Sequence, residues 1–168
     1  MHIHKFEKIC ISVGIATLIF FLVVLGYGGF HLGVHPQSHA ETIDPGNVQA
    51  HEAFQKENLG LTQVSEDQYI VNVVASSFNY DLGVDEEGKP IRHIRIPKRA
   101  TVLYQVATID VIHGFHIVGT NVNMMVEPGY ISKLETTMNQ AGEFTLLCNE
   151  YCGVGHHMMF LTVEVYEE

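Results

Sequence analysis

Residues 143–166 read EFTLLCNEYCGVGHHMMFLTVEVY: two strand-like runs, 143–148 and 159–166, joined by a loop rich in glycine, cysteine and histidine. Short runs of the same β-branched and aromatic character recur upstream. They fall at 68–75 (QYIVNVVA), 91–96 (IRHIRI), 101–107 (TVLYQVA), 122–126 (VNMMV) and 130–137 (YISKLETT). Turn signals separate them at Asp85–Gly88, Pro97, Pro128–Gly129 and Ala141–Gly142. Strands spaced in this way over roughly 100 residues predict an all-β fold, a small Greek-key β-sandwich or barrel. There is no internal repeat and no helix long enough for a crossover unit, which argues against a parallel α/β sheet.

The N-terminal end has a different character. Ile9 to Phe30 contains no charged residue, and ~20 apolar residues suffice to cross a bilayer core. A cleaved signal peptide has a shorter apolar region and a small-residue cleavage site, neither of which fits here. Lys5 and Lys8 precede the run, and no Lys or Arg follows until Lys56. The positive-inside bias therefore leaves the N-terminus in the cytoplasm and exports the remainder. The expected organisation is a cytoplasmic segment 1–8, a transmembrane anchor 9–30, a tether 31–66 with a short helix over 47–59, and an extracytoplasmic domain 67–168. Residues 31–168 carry seven basic against eighteen acidic side chains, a net of −11. That balance disfavours nucleic acid and favours a basic partner.

The chemistry is concentrated in the loop. Cys148, Cys152, His156 and Met159 form a C-x-x-x-C-x-x-x-H-x-x-M pattern, and His113 in DVIHGFHI lies about thirty-five residues upstream. A β-sandwich can bring such loops together at one end. Thiolate, imidazole and thioether together suit copper, whereas zinc has no use for a methionine. A mononuclear blue-copper site needs one cysteine, so the second suggests two copper ions bridged by two sulfurs, a centre built to relay electrons. The competing reading of two exported cysteines is a structural disulfide.

DVIHGFHI and CNEYCGVGHHMMF resemble the two ligand loops of the copper (CuA) domain of cytochrome c oxidase subunit II. The single anchor and the domain without tryptophan are most similar to the B-type, ba3-like oxidases. The resemblance implies a cupredoxin-like domain. It implies His113, Cys148, Cys152, His156 and Met159 as side-chain ligands of a binuclear centre, with the Glu150 carbonyl oxygen as a sixth. It also implies a haem-bearing subunit I as membrane partner and cytochrome c or a similar donor. In that setting oxygen reduction and proton translocation take place on subunit I, in a prokaryotic cell membrane. Phe78 and Tyr80 stand where the family has its electron-accepting aromatic patch, with ordinary core aromatics as the alternative. Glu150 matches a glutamate that contacts magnesium, and Glu7 resembles a glutamate that admits protons, against a plain solvated helix-end charge.

Other histidines lack ligand-like company. His2, His4, His31, His35 and His39 flank the anchor and read as solvent or interface residues, and His51 and His93 stand apart from any other candidate ligand. His116 is three residues from His113, an offset that points it to the opposite face of a strand. The rival function is a membrane-anchored copper chaperone or thiol reductase. Such proteins place their cysteines early, at a helix start, and not near the end of an all-β pattern.

Overall fold

The computed structural model describes residues 4–31 and 36–167, with the backbone alone at 39 and 40. His2, His35, residues 32–35 of the predicted tether and the side chain of His39 lie outside the described residues. The chain divides into two units, Met1–His35 and Pro36–Glu168.

The first unit is helix α1, Lys5–His31, 27 residues long. At 1.5 Å per residue it spans about 40 Å. It is apolar on every face with no buried residue, so its length and composition suit a membrane crossing. It begins one turn before the predicted run because its first turn is capped. Glu7 Oε2 accepts the His4 backbone N–H at 2.8 Å, and His4 Nδ1 accepts that of Phe6 at 3.4 Å. This reciprocal arrangement satisfies amides that the helix itself leaves unpaired.

The second unit is a two-sheet sandwich. Its strands are β1 Ser38–Thr42, β2 Gly60–Ser65, β3 Gln68–Ser76, β4 Asn79–Asp81, β5 His93–Pro97 and β6 Thr101–Thr108. They continue with β7 His113–Ile117, β8 Asn123–Val126, β9 Tyr130–Thr137, β10 Gly142–Leu147 and β11 Phe160–Tyr166. One sheet runs β1-β9-β6-β3-β2 with β4 also on β3; the other runs β5-β11-β10-β7-β8. From β3 and β4 the chain crosses to β5 in the second sheet and returns as β6, parallel to β3. β5 likewise lies parallel to β11, and the other pairings are antiparallel.

Alternation decides what faces inward. Val71, Val73, Ala75, Val102, Tyr104 and Val106 of one sheet meet Ile94, Ile96, Phe115, Leu146, Leu161 and Val163 of the other, all buried in one core. On the outer face of β3 and β6, Val74 and Ala107 pack with Val48, Phe54 and Ile131. β3 is therefore covered on both sides, which explains its near-continuous apolar run.

The segment expected to be a tether is folded from residue 38 onward. β1 pairs with β9, and β2 pairs with β3. The short helix expected over 47–59 is instead three 3-10 turns, Pro45–Ala50, Glu52–Phe54 and Lys56–Asn58. Extended residues His51 and Gln55 separate them. Val48 and Phe54 are six residues apart, a spacing that an α-helix would set about 120° apart around its axis. Flat turns let both reach the sheet, and burying each contributes about 1.5–3 kcal/mol. The strands at 68–76, 93–97, 101–108, 123–126, 130–137, 142–147 and 160–166 match the predicted runs to within one or two residues. β1, β2, β4 and β7 are the additions, three of them short and all of them polar or glycine-containing.

Candidate metal centre

β10 ends immediately before Cys148 and β11 begins immediately after Met159, so one hairpin connection carries most of the candidate ligands. Its base is closed by the Cys148 N–H donating to the Met159 carbonyl at 3.1 Å. Inside the loop, His156–Met158 form a single 3-10 turn. Gly153 sits at φ 132°, where a side chain would be strained. The Phe78 ring lies against the same loop: a Cβ on Gly155 would come within 2.7 Å of it.

His113 is the first residue of β7, and β7 pairs with β10 through Leu146–Ile117 and Leu147–His116. That register brings His113 beside Cys148. The Cys148 sulfur lies 3.1 Å from the Glu150 carbonyl oxygen, 3.9 Å from the Cys152 sulfur and 4.0 Å from His113 Nδ1. Cys152 Sγ is in turn 3.5 Å from His156 Nδ1 and 3.7 Å from the Met159 sulfur. The structure thus brings together the six groups read from the sequence. The sulfur separation is far beyond the ~2.05 Å of a disulfide, and both cysteines are free thiols.

Which nitrogen of His113 faces the sulfurs is set from behind. Its Nε2 lies 2.8 Å from Asp110 Oδ1. Asp110 also accepts from the backbone and hydroxyl of Ser77, at 2.6 and 2.7 Å, from the Val111 N–H and from the Thr108 hydroxyl. Burial raises the Asp110 pKa, but the bonds from His113, Ser77 and Val111 outweigh it and hold the carboxyl well below its usual range. An ionised Asp110 can only accept, so Nε2 carries a proton toward it and Nδ1 is the ring nitrogen left facing the cysteines.

The next residue is held just as closely. The Gly114 N–H donates to Cys148 Sγ at 3.3 Å. A Cβ there would lie 1.8 Å from Asn149 Oδ1 and 2.7 Å from the Asn149 nitrogen, so only glycine fits. The Gly114 carbonyl accepts the Tyr80 hydroxyl, whose ring meets Phe115 edge-on at 5.6 Å. Burial and the neighbouring Cys148 push the Tyr80 phenol far above its ordinary range, so it remains a donor.

The fit to copper follows from the donors. Burial and the adjacent Cys148 raise the Cys152 thiol, with the Phe78 backbone N–H opposing. A bound metal ion would supply the positive charge that favours thiolate ligands here. Two sulfurs, two imidazole nitrogens, a thioether and a carbonyl oxygen match the soft and borderline donors that copper selects. Among the described residues, His113, Cys148 and Cys152 form the metal-capable cluster, their ligand atoms within 4.8 Å of one another.

The remaining candidates separate clearly. His157 and Met158 are exposed, and His116 is half-buried away from the sulfurs. Tyr80 is 2% exposed, which favours the core-aromatic alternative over direct contact with a donor. Phe78 is half-buried, at a positive φ of 73° unusual for a bulky residue. Glu7 belongs to the helical unit and caps it. Sequence reasoning missed Asp110, Ser77 and Gly114; the Asp-x-x-His spacing of DVIH was the available signal for the first.

Residues 51–166 match the family model described as the periplasmic domain of cytochrome c oxidase subunit II. Cytochrome c oxidase subunit 2 of Thermus thermophilus is 34% identical over 164 residues, covering 96% of this chain and 92% of that protein. A probable cytochrome c oxidase subunit 2 from Streptomyces coelicolor is 35% identical over 91 residues, covering 51% of this chain and 28% of its own. Among solved structures, a chain of a haem–copper terminal oxidase dimer superposes with a TM-score of 0.75 at 26% identity, covering 96% of this chain and 100% of that one. The chain belongs to the cytochrome c oxidase subunit II family and is the cupredoxin-like subunit II of a haem–copper oxidase.

Proposed function

We propose that this subunit holds two copper ions as the electron-accepting centre of its oxidase, with His113, Cys148, Cys152, His156 and Met159 as side-chain ligands and the Glu150 carbonyl as the sixth. The observation that carries this reading is the convergence of all six groups around two free sulfurs 3.9 Å apart. Held there, copper supplies one-electron transfer with little rearrangement. The protein's part is to position and to exclude water: Asp110 fixes the His113 ring, Gly114 directs its N–H at Cys148, and the Phe78 ring covers Gly153 and Gly155.

On the same reading, electrons arrive from a cytochrome c or similar small donor and leave to the haem of subunit I, where oxygen is reduced and protons move. The net −11 of residues 31–168 supports a basic donor. Turnover with such a donor is expected to slow as salt rises. α1 is proposed to cross a prokaryotic cell membrane with Lys5 and Lys8 on the cytoplasmic side, which puts the sandwich outside. Phe78, half-buried over the ligand loop, is the proposed aromatic contact for the donor. A magnesium contact through the Glu150 side chain and proton uptake through Glu7 belong to the same proposal. Unchanged turnover and proton uptake in the assembled E7Q oxidase would leave Glu7 with its helix cap alone.

The test is copper addition to the full chain in detergent. Two coppers per chain with an electron paramagnetic resonance signal split by both nuclei are the expected result. One copper with a single-nucleus signal would overturn the binuclear centre and favour a copper chaperone.

A further inference from the structure

Tyr80 lies in the short strand β4, inside the core, where a phenylalanine would fill the same edge-on contact with Phe115. Its hydroxyl is not needed to fill space, and a buried hydroxyl costs stability unless it finds an acceptor. Its acceptor is the carbonyl of Gly114, the residue whose own N–H meets the Cys148 sulfur at 3.3 Å. On the other side, Asn149 leaves Gly114 no room for a Cβ. Gly114 is therefore gripped between the Tyr80 hydroxyl and the backbone that follows Cys148.

The turn that carries Tyr80 is tied to both ligand segments. Ser77 donates twice to Asp110, the residue behind His113. The Phe78 ring, on a backbone of φ 73°, lies over Gly153 and Gly155. Strained conformations of this kind persist where the surroundings over-determine them, and they cluster at functional sites. The turn meets the sulfurs in two ways: the Phe78 backbone N–H acts directly on Cys152, and Tyr80 acts through Gly114 on Cys148. Tyr104 is the natural contrast. It is equally buried and also packs on Phe115, but its hydroxyl is directed at the Met138 sulfur, at 3.7 Å.

We propose that Tyr80 is a positioning residue for the copper centre: its hydroxyl holds Gly114 so that the Gly114 N–H stays directed at the Cys148 sulfur and sets the reduction potential of the centre. The proposal rests on the copper reading above. A hydrogen bond to a ligating sulfur withdraws charge that would otherwise stabilise oxidised copper, so it favours the reduced form. Releasing Gly114 weakens that bond and lowers the potential. Tyr80 thus acts through Gly114, with no part in docking the electron donor.

The experiment uses the full chain in detergent, loaded with copper, as wild type, Y80F and Y104F. Copper content, visible and paramagnetic resonance spectra, and the midpoint potential are measured on each. Y80F is expected to bind the same copper as wild type while its equilibrium shifts two- to tenfold toward the oxidised form, ~18–59 mV for a one-electron couple. Its sulfur-to-copper absorption bands should move as well, and Y104F should match wild type in both. A Y80F protein with wild-type potential and bands overturns the proposal. So does an equal shift in Y80F and Y104F, which would mark general loosening of the core. Failure of the wild type to give a two-nucleus signal would instead remove the copper reading, and this proposal with it.

Discussion

The two histidines of the proposed copper centre differ in what surrounds them. His113 is fully buried, opens a strand, and is backed by a carboxylate that itself accepts from Ser77, Thr108 and Val111. His156 is half-exposed in a single 3-10 turn, with the Tyr151 ring tilted beside it at 5.9 Å. Tyr151 is 78% exposed and Val154 88% exposed, so the loop leading into His156 meets solvent or a partner directly. One half of the site is held by the sandwich, and the other is carried on a loop at its surface. Rigid strands give precise placement, and loops give access.

The sharpest way to break this contrast is to remove each imidazole in turn. H113G and H156G are both expected to lose the two-nucleus resonance signal of the copper-loaded chain. Added imidazole should restore the signal to H156G, whose site opens to solvent, and leave H113G unrestored. Equal rescue of both would show that His113 is as accessible as His156.

A second comparison sets Gly114 against Val154. In G114A the new methyl meets backbone as well as side chain of Asn149, so neither neighbour can simply turn away. Overpacking of this kind costs about 1–3 kcal/mol, and copper binding should weaken with it. V154A changes an exposed side chain and should stay within ~0.5 kcal/mol of wild type. Chemical denaturation of the two variants measures the difference, and similar losses would contradict it.

Asp110 offers a finer cut. D110N keeps the shape but loses the ionised acceptor behind His113, and such outer partners are worth roughly 10–100-fold in metal affinity. Competition with a copper chelator reads that loss. An affinity within twofold of wild type would mean that β7 alone orients the ring.

The smallest effect lies away from the centre. Glu41 in β1 accepts from Lys133 at 2.5 Å and contacts His51 Nε2 at 2.8 Å. The hydrogen bond from Lys133, then that from His51, lowers its pKa from 4.5. A carboxylate with a depressed folded pKa contributes stability that is present above the unfolded value and is lost as pH falls through the folded one. Because the pair is largely exposed, solvent screening keeps the gain within about 1 kcal/mol. The gap in melting temperature between wild type and E41Q, small at pH 7, should close below pH 4.5. A gap that persists in acid would mean that the charge on Glu41 contributes nothing.

Legibility followed the range of the interactions. The β10–β11 loop could be read residue by residue, because Cys148, Cys152, His156 and Met159 are close in the chain and their spacing alone constrains where their donors point. The strands at 68–76 and 101–108 were legible from continuous apolar runs. β1, β2 and β7 were not, since their partners, β9, β3 and β8 with β10, supply the stability that their own composition lacks. The turns at 45–58 were misread as a helix because helical propensity is a weak prior, and burial of Val48 and Phe54 against the sheet overrode it.

By itself, the sequence determined the apolar helix, the all-β pattern and which residues are candidate donors, because composition and short spacing act within a few residues. The tertiary structure alone decided that Tyr80 is interior and that Gly114 touches Cys148. Those contacts join residues 34 positions apart. The sheet register that creates them depends on every strand between, and no local pattern encodes it.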